Sequence, residues 1–384
     1  MFVRTASTLR PCAFAAVKPF KLTNLFPLFG ARSRLLSSSQ LVRTSKPTTS
    51  TSPFHPAKLP SSDPTTSINK SSANLDSLNL DDSSIDALRW KAPPSGSFVN
   101  QFLELSKARL AALVVLTTMA GYAMAPMAVS LPILLATTTG TALCVSSANA
   151  LNQWSEAPFD AQMKRTKSRL LVTHAMSGPQ AVGIGLASGV AGVATLYTLV
   201  NPLTGFRHFI AALGLANIVL YAGVYTPMKR FTIWNTWVGA LVGAIPPIMG
   251  WVACTGSLDA GALVMGSILF CWQFPHFNAL SWNLRQDYAK AGYHMMSAVD
   301  PALNARVSLR YALALFPVSA LAPYLEMTSW MFLGASSVVN GAFLVCAVRF
   351  WRDSSDKSAR ELFFMSLIHL PVLLGLLMVF KEKN

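Results

Sequence analysis

The sequence predicts an all-α polytopic membrane protein with nine transmembrane helices. Charged residues make up only 12% of the 384 residues, about half of the ~25% that is usual in soluble proteins. From about residue 108 the chain alternates between apolar runs and short polar connectors. Several runs reach the ~20 residues that a helix needs to cross a bilayer core of about 30 Å. Lys and Arg are also distributed unequally between the connectors, as expected for a membrane protein.

The N-terminal part of the chain differs in composition from this membrane domain. Residues 1–62 are rich in Lys, Arg, Ser and Thr and contain no Asp or Glu. This composition is typical of a mitochondrial transit peptide, although a basic disordered tail would share it. Residues 63–99 turn polar and acidic and read as a disordered linker. The predicted organisation is therefore a transit peptide over 1–62, a linker over 63–99 and a membrane domain over 100–380.

Nine apolar runs account for the membrane domain. They lie near residues 110–128, 131–150, 181–200, 207–225, 235–254, 261–280, 307–325, 329–348 and 361–380. Proline interrupts several of them, which membrane helices tolerate when neighbours satisfy the freed carbonyl groups. Small residues four apart predict close helix packing. These pairs are Gly185 with Gly189 and Gly239 with Gly243.

The basic residues predict the orientation of the spans. The connectors after spans 2, 4, 6 and 8 hold most of the Lys and Arg, whereas the odd-numbered connectors hold only Arg207. Loops rich in these residues stay on the inner side, which is the matrix for a protein of the mitochondrial inner membrane. The basic residues that follow the predicted transit peptide are therefore topology signals first, and no nucleic-acid partner is expected despite the pI of about 9.9.

Three polar residues lie together where span 2 ends. Asn152, Glu156 and Asp160 fall at i, i+4 and i+8, which predicts one face of a helix. Pro158 is expected to kink or break that helix. Carboxylate and amide oxygens suit Mg²⁺, which usually takes one or two carboxylates and completes its shell with substrate phosphates. The pattern therefore predicts a metal site, with a salt-bridged loop as the alternative.

Basic residues on the same predicted side extend this site into a diphosphate clamp. Arg165 and Arg169 follow the acids, and guanidinium groups bind phosphate oxygens in pairs. Lys229 and Arg230 end the segment "YTPMKR" after span 4, where they could also be plain membrane anchors. In such a clamp the metal and the cations neutralise charge on a leaving diphosphate.

A second inside loop follows span 6 in "WQFPHFNALSWNLRQDYAKAGYHMMS". It contains His276, one acid at Asp287 and a base at Lys290. These charges could close the site from the other half of the chain. An aromatic interface belt with an incidental Asp is the alternative interpretation. The predicted active site is thus formed by the inside loops after helices 2, 4 and 6.

Five separated motifs resemble the intramembrane prenyltransferase superfamily, and in particular its heme-prenylating branch. In order they are "NQWSEAPFD" with "MKRTKSR", "YTPMKR", "GAIPPIMGW", "WQFPHF" and "DYAKAGYHMM". Quinone-type members carry N-D-x-x-D-x-x-x-D in the first loop, whereas Gln153 and Glu156 stand at its second and third conserved positions here. Leu170 follows Arg169 where the family usually has Pro, so a looser turn is expected there. The resemblance covers residues from about 100 to 380.

This resemblance implies transfer of the farnesyl group of farnesyl diphosphate to a vinyl group of heme B, with addition of water, to give heme O and diphosphate. It implies Mg²⁺ as cofactor, held by the catalytic residues Asn152, Glu156, Asp160 and Asp287. It also implies diphosphate binding by Arg165, Arg169, Lys229, Arg230 and Lys290. His276 would bind heme, although it could equally satisfy a carbonyl freed by Pro275. The next enzyme of heme A synthesis would be a partner in the same bilayer.

Three other functions compete with this interpretation. A quinone-type aromatic prenyltransferase would use the same fold, but its first-loop pattern differs at Gln153 and Glu156. A transporter would carry ionisable groups at mid-membrane depth, whereas the acids here lie at span ends. A non-catalytic assembly factor of a respiratory complex would not need carboxylates beside guanidinium groups.

Overall fold

The computed structural model describes residues 97–200 and 207–382, and these residues form a helical domain. The predicted transit peptide lies outside the described residues, as does most of the predicted linker, and their boundaries stay predictions. In chain order the helices are α1 (Phe98–Leu105), α2 (Ala108–Met124), α3 (Leu131–Asp160), α4 (Gly178–Leu199), α5 (Arg207–Met228), α6 (Asn235–Thr255), α7 (Ala260–Asn283), α8 (Arg285–Lys290), α9 (Met296–Val299), α10 (Pro301–Tyr324), α11 (Met331–Asp353) and α12 (Asp356–Val379).

Eight of these helices are long and apolar enough to cross a membrane: α3 to α7 and α10 to α12. The predicted first span corresponds to α2, an apolar helix of 17 residues. At a rise of about 1.5 Å per residue α2 is ~25 Å long, which is at the short end for a membrane span. The prediction of an all-α fold is confirmed for the described residues, with eight candidate membrane spans, and the nine-span count stays a prediction.

α3 continues without a break through the proline that was expected to interrupt it. Pro158 lies inside the last turn of α3 and removes one backbone hydrogen bond, the one to the carbonyl group of Trp154. Both residues are exposed, so this carbonyl group can be hydrated instead. The expected break at Pro158 is therefore wrong, because its cost is small at an exposed helix end. The consequence is a helix that extends ten residues beyond the predicted end of span 2 at residue 150.

α2 and α6 cross with their backbones in direct contact. A methyl group added to Gly121 on α2 would collide with the carbonyl oxygen of Pro247. A methyl group added to Gly250 on α6 would collide with the carbonyl oxygen of Thr118. Glycine at both positions lets the two helices approach, as small residues do in membrane bundles. The predicted packing of Gly189 also occurs, since a Cβ there would lie 2.7 Å from Ser147 Oγ on α3.

α7 is fixed to its neighbours by amide side chains, two of which are fully buried. Asn278 Nδ2 donates to the carbonyl oxygen of Asn304 on α10, and Asn304 Nδ2 donates back to the carbonyl oxygen of Asn278, both at 3.2 Å. On another face of α7, Gln273 Nε2 donates to the carbonyl oxygen of Ala240 on α6 at 3.0 Å. Buried hydrogen bonds of this kind fix the relative position of helices. They hold the end of α7 that leads into the second inside loop.

The last described residues return to the C-terminal end of α2. Lys381 Nζ donates to the carbonyl oxygens of Ala123 at 2.8 Å and Ala125 at 2.6 Å. Lys381 also forms an isolated antiparallel bridge with Thr328, ahead of α11. A lysine ammonium is a good partner for the unsatisfied carbonyl groups at a helix C-terminus. It therefore joins the ends of α2 and α12.

Candidate active site

The predicted acidic face of α3 is present and buried. Asn152, Glu156 and Asp160 are only 1%, 6% and 1% exposed. They share one face because α3 stays helical to Asp160. Buried carboxylates are costly unless they are paired or bind a metal. Their partners therefore show what the site is built to hold.

Two of the predicted diphosphate ligands are those partners. Lys229 Nζ donates to Glu156 Oε1 at 2.6 Å. Arg169 forms an ion pair with Asp160 Oδ2 and lies 3.8 Å from Glu156 Oε2. Although burial opposes the charge of Lys229, the Glu156 carboxylate holds the pKa of Lys229 well above its ordinary value. Lys229 therefore remains charged at the centre of the site.

The π-helical part of α5 shapes the opposite wall. Residues Val219–Tyr225 form a π-helix, a local irregularity that is frequent at functional sites. Thr226 follows directly, and its Oγ1 accepts a hydrogen bond of 2.9 Å from Asn152 Nδ2. The Lys229 ammonium lies 4.3 Å from the centre of the Tyr225 ring, a cation–π contact. The irregular helix therefore positions both a hydroxyl group and a cation against the acidic face.

Lys107 also enters the site, and nothing in its sequence context distinguishes it from a topology residue. Its Nζ donates to Asn152 Oδ1 at 2.9 Å. Removal from water, together with the nearby charge of Arg169, lowers the pKa of Lys107 to about 7. Lys107 directly precedes α2, where a basic residue in front of an apolar run is usually read as an orientation signal. Only the tertiary structure reveals its contact with the acidic face.

Two buried polar atoms at the site have no hydrogen-bond partner within the described residues. They are Asp160 Oδ1 and the hydroxyl group of Tyr293. The Tyr293 ring packs against Phe159, with 5.6 Å between ring centres. Burial and the Glu156 carboxylate raise the pKa of Tyr293, so its hydroxyl group stays a donor. Buried polar groups are normally hydrogen-bonded, so these two atoms are available to a ligand that enters the site.

The second inside loop reaches the site through Tyr293 and its neighbour. The backbone N–H of His294 donates to the carbonyl oxygen of Lys229 at 2.7 Å, and Asn235 Nδ2 donates to the His294 carbonyl oxygen at 3.1 Å. In the part of the chain that the structure describes, no three His, Cys, Asp or Glu residues are grouped to hold a metal. Asp287 therefore does not join Glu156 and Asp160 in such a group.

The remaining predicted diphosphate ligands lie at the surface. Arg165, Arg230 and Lys290 are exposed, and the Arg230 guanidinium lies 4.5 Å from the centre of the Phe159 ring. Phe159 is the neighbour of Asp160 in α3, so Arg230 borders the site without contacting its carboxylates. The structure thus brings Arg169 and Lys229 into contact with the acids and leaves the other three cations outside.

His276 occupies a separate position between α7 and α12. Its Nδ1 lies 2.7 Å from Ser366 Oγ. Its ring stacks on Trp272 and Phe363, with 4.5 Å and 5.1 Å between ring centres. Ser366 Oγ donates its own proton to the Phe363 carbonyl oxygen, so Nδ1–H of His276 is the donor to Ser366. His276 Nε2 then carries a free lone pair.

The helical fold and the cluster of carboxylates and cations are those of a membrane prenyltransferase. Residues 114–368 match the UbiA prenyltransferase family, well over half of the chain, and the chain belongs to that family. A human protein named "Protoheme IX farnesyltransferase, mitochondrial" is 49% identical over 311 residues, 80% of this chain and 69% of that protein. A protein of the same name from Pongo abelii is 52% identical over 280 residues, 73% of this chain and 62% of that protein. The chain thus spans between 62% and 69% of the length of these two relatives.

Solved structures of distant proteins share the fold. A structure concerned with digeranylgeranylglyceryl phosphate synthase in membranes superposes with a TM-score of 0.63 at 11% identity, covering 73% of this chain and 98% of that chain. A UbiA homolog from Archaeoglobus fulgidus, bound to DMAPP and Mg²⁺, superposes with a TM-score of 0.50 at 13% identity, covering 73% of this chain and 100% of that chain. At these identities the similarity establishes the UbiA-type fold.

Proposed function

We propose that the chain transfers the farnesyl group of farnesyl diphosphate to a vinyl group of heme B, with addition of water, and releases heme O and diphosphate. The observation that carries this proposal is the buried cluster of Glu156, Asp160, Arg169 and Lys229 in a chain whose relatives are named protoheme IX farnesyltransferase. A salt-bridged loop would not need to bury two carboxylates, because surface ion pairs form at little cost.

The residues at the cluster fit a Mg²⁺ ion. Asp160 Oδ1 is buried without a partner, and Glu156 and Asn152 present further oxygens on the same face of α3. Two carboxylates and an amide leave room for the phosphate oxygens that normally complete the shell of Mg²⁺. Asp287, which the structure does not group with Glu156 and Asp160, is proposed as an additional ligand that would join them only when the metal is bound. When bound, the ion would supply positive charge to the departing diphosphate.

The cations of the site would bind the diphosphate group itself. Arg169 and Lys229 now neutralise carboxylates, and they are free to turn to phosphate oxygens once a metal satisfies those carboxylates. Guanidinium and ammonium groups stabilise the charge that develops on the leaving diphosphate. The exposed Arg165, Arg230 and Lys290 would attract the substrate to the mouth of the site through their long-range field.

Several features support nine crossings with the site facing the matrix. Lys107 precedes α2, whereas Asn152 lies near the C-terminal end of α3, and the two side chains are in contact. If α3 crosses the membrane, its first residue lies on the side opposite to this contact. α2 begins at the contact and leads to the start of α3, so α2 must cross the membrane as well. The basic connectors then lie on the site's side, as expected for a matrix-facing loop. We therefore propose a nine-span protein of the mitochondrial inner membrane, adjacent to the next enzyme of heme A synthesis.

The direct test is an assay of purified protein in nanodiscs with heme B, farnesyl diphosphate and Mg²⁺. We expect a pigment heavier than heme B by one farnesyl group and one water, detected by chromatography and mass spectrometry. Removal of the metal with a chelator is expected to abolish the product, and added Mg²⁺ is expected to restore it. Prenylation of an aromatic acid instead of heme would assign the chain to the quinone branch. A folded preparation that modifies no acceptor would support an assembly factor.

His276 is proposed to bind the iron of heme B through Nε2. Metal-binding histidines usually donate their other N–H group to a fixed partner, and Ser366 Oγ is such a partner here. We expect His276→Gln to weaken heme B binding about tenfold, a loss of ~1.4 kcal/mol, and to shift the Soret band. Absorbance titration measures both effects. His208→Gln, in which the changed residue is exposed at the start of α5, is the control. Equal heme spectra for the two variants would contradict this assignment.

A further inference from the structure

Lys107 is held in an unusual backbone conformation. Its φ of 52° and ψ of 53° are left-handed, which is uncommon for a residue other than glycine and costs free energy. Such conformations persist only where the surroundings enforce them, and they are concentrated at functional sites. The cost is unnecessary for a residue whose only task is to mark the inner side of the membrane.

The surroundings that enforce this conformation come from α3. Gln153 Nε2 donates to the Leu105 carbonyl oxygen at 2.7 Å, and Asn149 Nδ2 donates to the Ser106 carbonyl oxygen at 2.9 Å. Both amide side chains belong to the helix that carries Asn152. The chain directly before Lys107 is therefore fastened to α3, and the ammonium group is directed at the acidic face.

The contact partner of Lys107 is fixed as well. Asn152 Nδ2 donates to Thr226 Oγ1, whose own proton goes to the Tyr221 carbonyl oxygen at 2.8 Å. The Asn152 amide cannot turn over without placing its N–H group against the ammonium. Its oxygen is therefore presented to a cation, and in this structure that cation is Lys107.

A metal ion at the acidic face would compete with this ammonium group. The oxygen that Lys107 occupies is one of the oxygens assigned above to Mg²⁺. Two cations, Arg169 and Lys229, already pair with the carboxylates of Glu156 and Asp160, and the Lys107 Nζ lies on the Asn152 oxygen beside them. Adding a divalent cation alone makes the cluster more positive, which is unfavourable in a buried site. A metal that arrives with a diphosphate brings the negative charge that these cations need.

We propose that Lys107 is an active-site residue that makes metal and diphosphate bind together: its ammonium group blocks the Asn152 oxygen in the free protein and moves onto the diphosphate when the metal takes that oxygen. The proposal rests on the proposed function and names a further ligand for its substrate. The Lys107 ammonium group would therefore have two roles: it competes with free metal for the Asn152 oxygen, and it binds the diphosphate. Free metal is kept out, and the metal–diphosphate complex is admitted.

The variant Lys107→Met separates these two effects, because they have opposite signs. Binding of Mn²⁺ without diphosphate is followed by the loss of the free-ion electron paramagnetic resonance signal. We expect Lys107→Met to bind Mn²⁺ about tenfold more tightly than the wild type. Binding of inorganic diphosphate in the presence of Mg²⁺ is followed by calorimetry, and we expect it to weaken about tenfold.

Arg109→Met is the matched control, because Arg109 is a cation two residues away that is exposed. It is expected to leave both affinities within about twofold of the wild type. Lys107→Arg, which keeps the charge, is expected to keep Mn²⁺ binding weak and shows that the position tolerates substitution. Parallel losses of both affinities in Lys107→Met would mean a structural role and would overturn the proposal, as would no change in either. Failure of Mn²⁺ to bind to wild type even with diphosphate would overturn it together with the metal assignment, whereas heme O formation is scored separately.

Discussion

Glu156→Gln is expected to lower heme O formation at least about a hundred- to a thousandfold, the usual effect of removing one transition-state contact. The substitution keeps the shape of the side chain and removes its charge. It takes away one proposed metal ligand, and it also deprives Lys229 of its ion pair at 2.6 Å. Turnover in nanodiscs, at saturating farnesyl diphosphate and at a Mg²⁺ concentration that just saturates the wild type, measures the effect. Raising the Mg²⁺ concentration is expected to recover part of the activity, since the remaining ligands still bind the ion weakly.

Glu361→Gln is a suitable control for this experiment. Glu361 lies on α12 and is the partner of Arg349 at 3.9 Å, in a side-chain pair that is largely exposed. Exposed pairs of this kind contribute little, so turnover is expected to stay near that of the wild type. Near-normal turnover of Glu156→Gln would contradict the assignment of Glu156 to the metal, and it would favour a structural salt-bridge network.

Gly250→Ala is expected to have the largest effect on folding. The added methyl group would collide with the Thr118 carbonyl oxygen on α2, and a backbone atom cannot move aside as a flexible side chain can. We expect a loss of at least about 3 kcal/mol in the free energy of unfolding, the upper range for overpacked sites. Thermal unfolding in detergent, followed by tryptophan fluorescence at one fixed heating rate, measures the change.

Gly341→Ala provides the comparison for the helix-crossing prediction. Gly341 lies within α11, and nothing lies within 4 Å of the position of an added Cβ. Alanine favours a helix over glycine by about 1 kcal/mol, so this variant is expected to unfold at the same or a higher temperature. A Gly250→Ala protein as stable as Gly341→Ala would show that α2 and α6 can separate at little cost.

The sequence alone predicts the helices and the acidic face of the site. Hydropathy finds the apolar runs because membrane-spanning segments must satisfy their backbone within the helix. The i, i+4, i+8 spacing of Asn152, Glu156 and Asp160 predicts their common face correctly. Pro158 misleads, because its effect depends on where the freed carbonyl group lies, and an exposed helix end is where it costs least. The spacing of apolar residues does not show whether one position, such as Pro158, is buried or exposed.

Contacts between distant segments account for what the sequence pattern does not predict. Lys107 and Tyr293 reach the site only because α1 is fastened to α3 and the second loop is fastened to Lys229. The crossing of α2 and α6 is equally hidden. Gly121 and Gly250 each face the backbone of a residue other than glycine in the partner helix. The contact between α2 and α6 therefore lacks the signal of two glycines four residues apart, which did identify Gly185 and Gly189 in the sequence.

The bond between Lys381 and the end of α2 has a consequence for biosynthesis. Ala123 and Ala125 leave the ribosome early, yet their carbonyl groups receive their partner only 258 and 256 residues later. Until then the C-terminal end of α2 lacks the partner that these two carbonyl groups have in the folded protein. The contact therefore forms only after α12 has been made, and a chain that stops short of Lys381 leaves the carbonyl groups at the C-terminal end of α2 without this partner.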